Sequence, residues 1–360
     1  MSERTIAVLD GNSLLHRAFH ALPETMTAPD GRPTNAVFGF LSMLIRLIAD
    51  LRPDGVIVAF DLGKPEFRMK ALEQYKVHRP PMHDALRVQF PMVKKIVTAM
   101  DLPIVELDGW EGDDILGTLA RRGEACGLTM LLVTGDRDAF QLVTDTVRVV
   151  TTRKGVTDIA VMGPTEVEER YGVRPDQIPD YLGLKGDTSD NIPGVPGIGE
   201  KTAAKLLQQY GTLEEVIAAA QRGEITGRAG TNLVEHEDAA RASRTVATIA
   251  CDVPVDLDPE AVSFGTYDPN AVAEAFGELR LTTLLERLLA LGGAGGGTAR
   301  VSSAAGTGVA GPAPAKAPVA AASGGPQPVA AGTPTHRAIL RGTAAMERVR
   351  AWCAEQAAAA

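Results

Sequence analysis

One segment near the start of the chain reads Thr5-Ile6-Ala7-Val8-Leu9-Asp10-Gly11, four consecutive apolar residues that end at an acid and a glycine. A short apolar run bounded in this way predicts a buried strand. Similar runs follow at residues 56–60, 104–105 and 130–133. Between them, apolar residues at helical spacing predict helices over residues 34–51 and 112–126. Strands that alternate with helices predict an α/β domain with a mostly parallel sheet flanked by helices, over residues 1–163.

The composition sets limits on the protein class. The chain has 360 residues, 45% of them hydrophobic, which allows a sizeable core and two or more domains. Its three cysteines form no CxxC pair, so they predict neither a disulfide framework nor a zinc site. The sequence has no apolar segment of signal-peptide or membrane-spanning type, so we expect a cytoplasmic protein with no membrane partner. We also expect a monomer. The formal net charge of −9 argues at first against a nucleic-acid partner.

The character of the sequence changes after residue 163. Residues 164–291 predict a second lobe of short helices punctuated by proline- and glycine-rich turns. Residues 292–335 consist almost entirely of Gly, Ala, Pro, Ser, Thr and Val, a composition typical of a flexible linker. Helical character resumes at residues 336–360, which we interpret as the start of a truncated following domain.

Acidic residues follow the predicted strands, where each strand ends. An acid at such a position is most often a turn or capping residue, and each single acid has that alternative. The set as a whole is different, because clustered like charges repel unless a cation compensates them. Carboxylates without His or Cys select hard cations, and their number suggests two Mg²⁺ or Mn²⁺ ions, the arrangement used in phosphodiester hydrolysis. The predicted metal ligands are Asp10, Asp61, Glu111, Asp113, Asp114, Asp136 and Asp138, joined by Asp187 and Asp190 from the second lobe.

A basic segment follows Asp61 at the same predicted edge. Between residues 64 and 95, eight Lys and Arg residues oppose three acids, and aromatic residues interleave. Most charge runs are solvated helix faces, and that alternative stays open here. The position beside the acids favours a passage for a single nucleic-acid strand, with aromatic side chains for base stacking. The candidate residues in this segment are Arg68, Lys70, Tyr75, Lys76 and Arg79.

A glycine-rich turn supplies a second phosphate-binding feature. Glycines allow backbone N–H groups to approach an anion, and a helix is predicted to begin immediately afterwards. The turn resembles the helix-hairpin-helix element, which holds a duplex backbone without reading its sequence. The candidate DNA-binding residues here are Gly194, Gly197, Gly199, Lys201, Thr202 and Lys205.

These motifs together resemble the 5′-nuclease superfamily, and within it the N-terminal 5′→3′ exonuclease domain family of bacterial DNA polymerase I. The resemblance covers about residues 3–291 and rests on several ordered motifs. The matching stretches are residues 9–13, 35–40, 59–61, 75–76, 110–114, 134–138 and 186–202. It implies a PIN-like nuclease core with a basic helical arch at about residues 64–95, followed by a DNA-binding lobe with a helix-hairpin-helix.

The resemblance also implies an activity and roles for residues. It implies a flap endonuclease and 5′-exonuclease that uses two divalent metals on branched or 5′-flap DNA and on RNA-primed DNA. Lys76 and Arg79 would belong to the arch, with Lys76 at the scissile phosphate, and Tyr75 would stack near the cleaved junction. The glycine-rich turn would bind downstream duplex, with room for a monovalent cation. Gly112, Trp110 and Arg137 depart from the usual residues without removing a carboxylate.

Two alternatives stay open at this point. A free-standing exonuclease and the front part of a polymerase both fit the sequence, which contains no polymerase motif in these residues. A non-catalytic module that only binds branched DNA fits less well, because it would gain nothing from negative charge concentrated beside phosphates.

Overall fold

The computed structural model describes residues 4–152 and 159–291. Its central element is a six-stranded sheet with the strand order β3-β2-β1-β4-β5-β6. The strands are β1 (Thr5–Asp10), β2 (Gly55–Leu62), β3 (Ile104–Asp108), β4 (Thr129–Val133), β5 (Val147–Thr152) and β6 (Ile159–Met162). The first five strands are parallel to their neighbours, and β6 runs antiparallel to β5. This sheet confirms the predicted α/β class, while β5 and β6 had not been predicted.

Fourteen α-helices lie in the described part of the chain, together with short 3₁₀ turns that include Asp138–Leu142. The first six helices belong to the sheet region: α1 (Gly11–Ala21), α2 (Asn35–Leu51), α3 (Glu66–Ala71), α4 (Asp84–Arg87), α5 (Gln89–Ala99) and α6 (Gly112–Ala125). The later helices are α7 (Pro164–Tyr171), α8 (Ile178–Lys185), α9 (Glu200–Tyr210), α10 (Leu213–Gln221), α11 (Gly227–Glu235), α12 (Glu237–Ala247), α13 (Pro269–Glu278) and α14 (Thr282–Ala290). None of these helices is long and apolar enough to span a bilayer.

Strand β1 shows how the sheet separates two cores. Successive strand residues point to opposite faces, so Ile6 and Val8 join one hydrophobic cluster while Ala7 and Leu9 join the other. All four are fully buried, as expected for a parallel strand covered on both faces. The first cluster contains α6 and helices of the second lobe, and the second contains α1, α2 and α5.

The predicted helices match the observed ones closely. Helix α2 begins at Asn35, one residue after the predicted start, and the side chain of its N-cap residue Thr34 makes no capping hydrogen bond. Helix α6 ends at Ala125, and Gly127 follows with a φ of +73°. That left-handed conformation favours glycine, which is why this residue closes the helix.

The segment after α12 crosses from one face of the sheet to the other. Arg122 of α6 donates to the carbonyls of Val253 and Val255, and Arg4 donates to the carbonyls of Glu260 and Val262. After this segment, α13 and α14 pack on the same face of the sheet as α2 and α5, and Phe276 and Leu288 are fully buried there. We name residues 248–264 the crossing segment.

Two predicted regions lie outside the described residues. They are the linker at 292–335 and the helical tail at 336–360. The segment expected to form a helical arch is described throughout, and it is helical at α3, α4 and the start of α5.

Candidate metal centre and nucleic-acid interface

Asp10 lies at the carboxyl end of the central strand and is held from two sides. Its Oδ1 accepts a hydrogen bond from the Ser13 amide at 2.9 Å, which caps α1. Its Oδ2 accepts from the Thr134 hydroxyl at 2.8 Å. Burial and repulsion from Asp61 raise the pKa of Asp10 from 3.8 to about 7. A carboxylate in this setting gains stability from a nearby cation.

Asp61, at the end of the neighbouring strand, is fixed by the chain around it. Its Oδ1 accepts the amide of Gly112 at 2.6 Å, and its Oδ2 accepts the side-chain amide of Asn12 at 2.9 Å. Asn12 completes a reciprocal pair by accepting the backbone N–H of Asp61 at 3.2 Å. A Cβ at Gly112 would lie 3.0 Å from Asp61 Oδ1, so the glycine at this position leaves the carboxylate room.

Asp113 carries the clearest sign of a missing partner. Its Oδ1 is buried, and it has no hydrogen-bond partner among the residues that the structure describes. Burial, followed by repulsion from Asp136 and Asp10, raises the pKa of Asp113 well above its ordinary value. A buried polar atom without a partner is costly, so a native structure normally provides one. A divalent cation shared with Asp10 and Asp136 would be such a partner.

A second acidic group adjoins the first through Asp136. Burial, then repulsion from Asp136, Asp190 and Asp187, raises the pKa of Asp138 well above its ordinary value. Asp187 and Asp190 come from the second lobe, where Asp187 Oδ1 accepts the amide and the hydroxyl of Ser189 at 2.7 and 2.6 Å. The two lobes therefore contribute acids to one region, as the sequence predicted.

The structure separates Asp114 from the other predicted ligands. Its carboxylate is completely buried and accepts both terminal nitrogens of Arg68, at 2.6 and 2.7 Å. The amides of Glu111 and Ala250 donate to the same two oxygens. Each oxygen thus already accepts two hydrogen bonds, which leaves no lone pair directed at a metal. We therefore reassign Asp114 to a structural ion pair.

The same contact corrects the role predicted for Arg68. Its side chain is only 3% exposed, and it also donates to the carbonyls of Val246 and Thr248. Arg68 is thus withdrawn from DNA and joins α3, α6 and the end of α12. Lys70, on the same helix, is 79% exposed and stays available as a predicted DNA contact.

The predicted arch residues contact two of the acids, Glu111 and Asp190. The Lys76 ammonium lies 2.5 Å from Glu111 Oε1 and 3.5 Å from Asp190 Oδ2, and Arg79 lies 2.5 Å from Asp190 Oδ1. The Tyr75 hydroxyl donates to Glu111 Oε2 at 2.9 Å. Tyr75 is only 6% exposed and belongs to the core, so its ring is not available for base stacking in this conformation. This placement differs from the predicted stacking role.

The carboxylates lie around one region but do not form a complete coordination shell for a metal ion. Within residues 4–152 and 159–291, no three His, Cys, Asp or Glu side chains are already grouped closely enough to hold an ion. Three polar residues for which the sequence predicts no role position the acids: Asn12, Ser13 and Thr134. Their signal was their position directly beside the acids at the ends of β1 and β4.

The glycine-rich turn lies between α8 and α9. Val195 and Ile198 are buried and anchor the turn, while Gly197 and Gly199 are exposed. Gly194 is buried at φ +60°, and its amide donates to the Ser243 hydroxyl at 3.1 Å. Helix α9 begins at the residue after Gly199 and carries the exposed Lys201 and Lys205, with Thr202 half-buried between them. The first amides of a helix lack intrahelical partners, so this end can accept an anion.

Comparison with known proteins identifies the family. Residues 5–172 match the model for the 5′-3′ exonuclease N-terminal resolvase-like domain, and residues 173–270 match the model for the 5′-3′ exonuclease C-terminal SAM fold. The chain belongs to the 5′-3′ exonuclease family. The family resemblance stated from the sequence is therefore confirmed, and so are the fold and the nuclease class that it implied.

Two relatives of this exonuclease chain are polymerases. It is 42% identical over 287 residues to DNA polymerase I of Bacillus caldotenax, covering 79% of this chain and 32% of the relative. It is 44% identical over 287 residues to DNA polymerase I of Chloroflexus aurantiacus, covering 78% of this chain and 30% of the relative. The chain therefore spans about a third of the length of the curated relatives it matches.

A solved structure shares the fold of this exonuclease chain. It is the D15 flap endonuclease of bacteriophage T5, in a pseudo-enzyme-product complex with DNA and metal ions. The two are 22% identical with a TM-score of 0.56, covering 80% of this chain and 99% of the phage protein.

Proposed function

We propose that this chain is a metal-dependent, structure-specific 5′-3′ exonuclease and flap endonuclease that hydrolyses DNA phosphodiesters. The observation that carries the proposal is the buried Oδ1 of Asp113, which has no hydrogen-bond partner within the described residues. Burial and the surrounding acids raise the pKa of this carboxyl. A bound cation would compensate the negative charge of such an arrangement near neutral pH. Metal-ion hydrolysis of phosphodiesters uses sites of this composition.

The residues at the sheet edge fit divalent cations of the Mg²⁺ or Mn²⁺ type, because all candidate ligands are carboxylates. The interactions that raise the pKa values divide the acids into two adjoining groups. Asp10, Asp61, Asp113 and Asp136 would hold one ion, and Asp138, Asp187 and Asp190 would hold the other, with Glu111 between them. Bound cations supply positive charge that stabilises the developing charge of a phosphodiester during hydrolysis.

Two cationic side chains would bind and orient the DNA at this edge. Lys76 is 19% exposed and already lies at the acids, so its ammonium can donate to a phosphate that enters between Glu111 and Asp190. Arg79 is half-exposed and pairs with Asp190, so its guanidinium can hold a neighbouring phosphate. Tyr75 would act through Glu111, whose carboxylate it holds in place.

The glycine-rich turn would hold the downstream duplex. Gly197 and Gly199 leave the backbone accessible just before α9 begins, and Lys201 and Lys205 of α9 add positive charge there. These groups contact phosphates rather than base edges, which fits binding to a duplex of any sequence. A monovalent cation at the turn and activity on RNA-primed DNA stay predictions, as do a monomeric state and a cytoplasmic location.

Replacing Asp113 by Asn tests the proposal. We expect the wild-type chain to cleave a 5′-flap oligonucleotide only when a divalent metal is added, and to stop when EDTA removes it. Asp113→Asn should lose at least about 100-fold in rate while retaining DNA binding, because a ligand is lost and not a phosphate contact.

Asp108→Asn provides the matched control. Asp108 ends β3 at the same edge and is exposed, and it belongs to neither acidic group, so its variant should cleave normally. Equal rates for wild type and Asp113→Asn would refute the metal assignment. Binding of flap DNA without any metal-dependent cleavage would instead favour the non-catalytic binding module.

The relation to a polymerase is part of the same proposal. Since the chain covers about a third of the polymerases it matches, we propose that it acts as the 5′-nuclease part of such an enzyme in primer removal and repair. A free-standing exonuclease is the alternative. Sequencing the gene beyond codon 360 distinguishes the two.

A further inference from the structure

A groove beside the acidic centre has no role in the function proposed so far. It lies between α1, the loop after β4, the β5–β6 edge and α7, and it has a cavity volume of about 650 Å³. We name it the α7 groove. Gly135 and Arg137 line it, and they flank Asp136 in sequence. The groove therefore adjoins the metal centre and lies one strand further along the same edge of the sheet.

The charges that line the α7 groove favour an anion. Arg17, Arg137 and Arg170 face Glu166 and Glu169 there. Glu166 is already engaged, because its Oε2 accepts the amide of Gly163 at 2.8 Å and caps α7. Three guanidinium groups and two carboxylates line the groove, so its lining carries one net positive charge in a chain whose net charge is −9. Guanidinium groups are well suited to phosphate because they donate two parallel hydrogen bonds.

Three buried apolar residues lie at the floor of the α7 groove. Phe140, Ala160 and Met162 line it, and each is less than 10% exposed. Beneath the floor, the Tyr171 ring packs on Phe140 with centroids 5.6 Å apart, and the Arg170 guanidinium lies 5.6 Å from the Tyr171 ring centre. This contact holds Arg170 at the rim of the groove. A ligand that carries phosphates fits such a lining, and the backbone of a nucleic-acid strand has them.

We propose that the α7 groove binds a segment of the DNA strand that lies across the metal centre, with its phosphates on Arg137 and Arg170. The proposal deepens the nuclease function and rests on it. A strand rather than a free nucleotide is indicated by continuity, because the loop that lines the groove is the loop that carries Asp136 and Asp138. The groove would extend the footprint on DNA away from the arch, toward β5 and β6.

Arg170→Gln tests the proposal. Arg170 is exposed on α7 and is not part of the metal centre, so its variant should fold and keep the wild-type kcat on a 5′-flap substrate. We expect a rise in KM of about tenfold, and a slope of log affinity against log salt that is smaller by about one. Arg174→Gln is the matched control, since Arg174 is also exposed and lies outside the groove, paired with Asp176 at 2.9 Å.

A variant of opposite sign makes the test independent of any damage to the fold. Glu169→Gln removes a negative charge from the groove and should tighten DNA binding about twofold to threefold, measured without divalent metal at low salt. Glu168→Gln is its control, because Glu168 lies on the same helix but lines a different cavity. Equal KM and salt slopes for Arg170→Gln, Arg174→Gln and wild type would overturn the proposal.

Two further outcomes are informative. If thymidine monophosphate at micromolar concentration competes with flap DNA in wild type but not in Arg170→Gln, the groove binds free nucleotides and the strand assignment is wrong; we expect no such competition. If wild type itself shows no metal-dependent cleavage, the nuclease proposal fails, which is a different result from unchanged kinetics in Arg170→Gln.

Discussion

Replacing Arg68 by Met would remove the cation that neutralises Asp114 inside the protein. Arg68 is 3% exposed and Asp114 is fully buried, and their two short contacts measure 2.6 and 2.7 Å. Breaking a buried ion pair by removing one partner costs about 3–5 kcal/mol, since the remaining charge stays buried. Two more donors, to the Val246 and Thr248 carbonyls, would be lost as well. We expect a fall of about 4 kcal/mol in the free energy of unfolding, or roughly 10 °C in Tm.

Urea denaturation followed by circular dichroism measures this change. Lys70→Met is the control, because Lys70 lies on the same helix but is 79% exposed, and its 3.5 Å contact with Glu66 is worth at most about 0.5 kcal/mol. The double variant Arg68→Met/Asp114→Asn should regain about 1 kcal/mol or more, since it no longer buries a lone charge. A single variant within about 1 kcal/mol of wild type, or a double variant no more stable than the single one, would refute the reasoning.

The remaining predictions concern the glycine-rich turn and the acidic centre. Gly194→Ala should destabilise the protein by about 2 kcal/mol or more, because φ is +60° and the new Cβ would lie 2.3 Å from the Gly186 amide nitrogen; Gly199→Ala, with no atom within 4 Å, should fold normally in the same thermal melts. Without divalent metal, stability should fall as the pH rises from about 4 to about 7, since the pKa of Asp10 is raised from 3.8 to about 7 and the fold favours its protonated form. Added Mg²⁺ or Mn²⁺ should flatten that pH profile, and a profile that is flat without metal would contradict the electrostatic picture.

The sequence predicted the edge of the sheet well because strand direction alone brings the acids together. Asp10 and Asp61 end parallel neighbours, and the acids after β3 and β4 had to follow them to the same side. The sequence does not predict β5 because Arg148 interrupts its apolar run, and it does not predict β6 because that strand has only four residues. A run of that length carries too little periodicity to distinguish a strand from a loop.

Side-chain roles within the acidic set were harder to predict than positions. Asp113 and Asp114 are adjacent in the first turn of α6, so they point about 100° apart, and sequence cannot say which faces the cation. In the structure, Asp114 pairs with Arg68, which lies 46 residues earlier in the sequence, so Asp113 is the one of the two that is left for a cation. In the same way, Arg68 and Tyr75 matched a strand-binding pattern by composition, and only their burial shows that they support the site from within.

The crossing segment affects how the chain can be cut for expression. The matched family region ends at residue 270, just after α13 begins at Pro269. A fragment stopped there would uncover the face of α2 and α5 that Phe276 and Leu288 now fill, and exposed apolar patches of this kind promote aggregation. The smallest cloning boundary that preserves this packing therefore lies beyond Ala290, on the far side of the sheet from α9 and the glycine-rich turn.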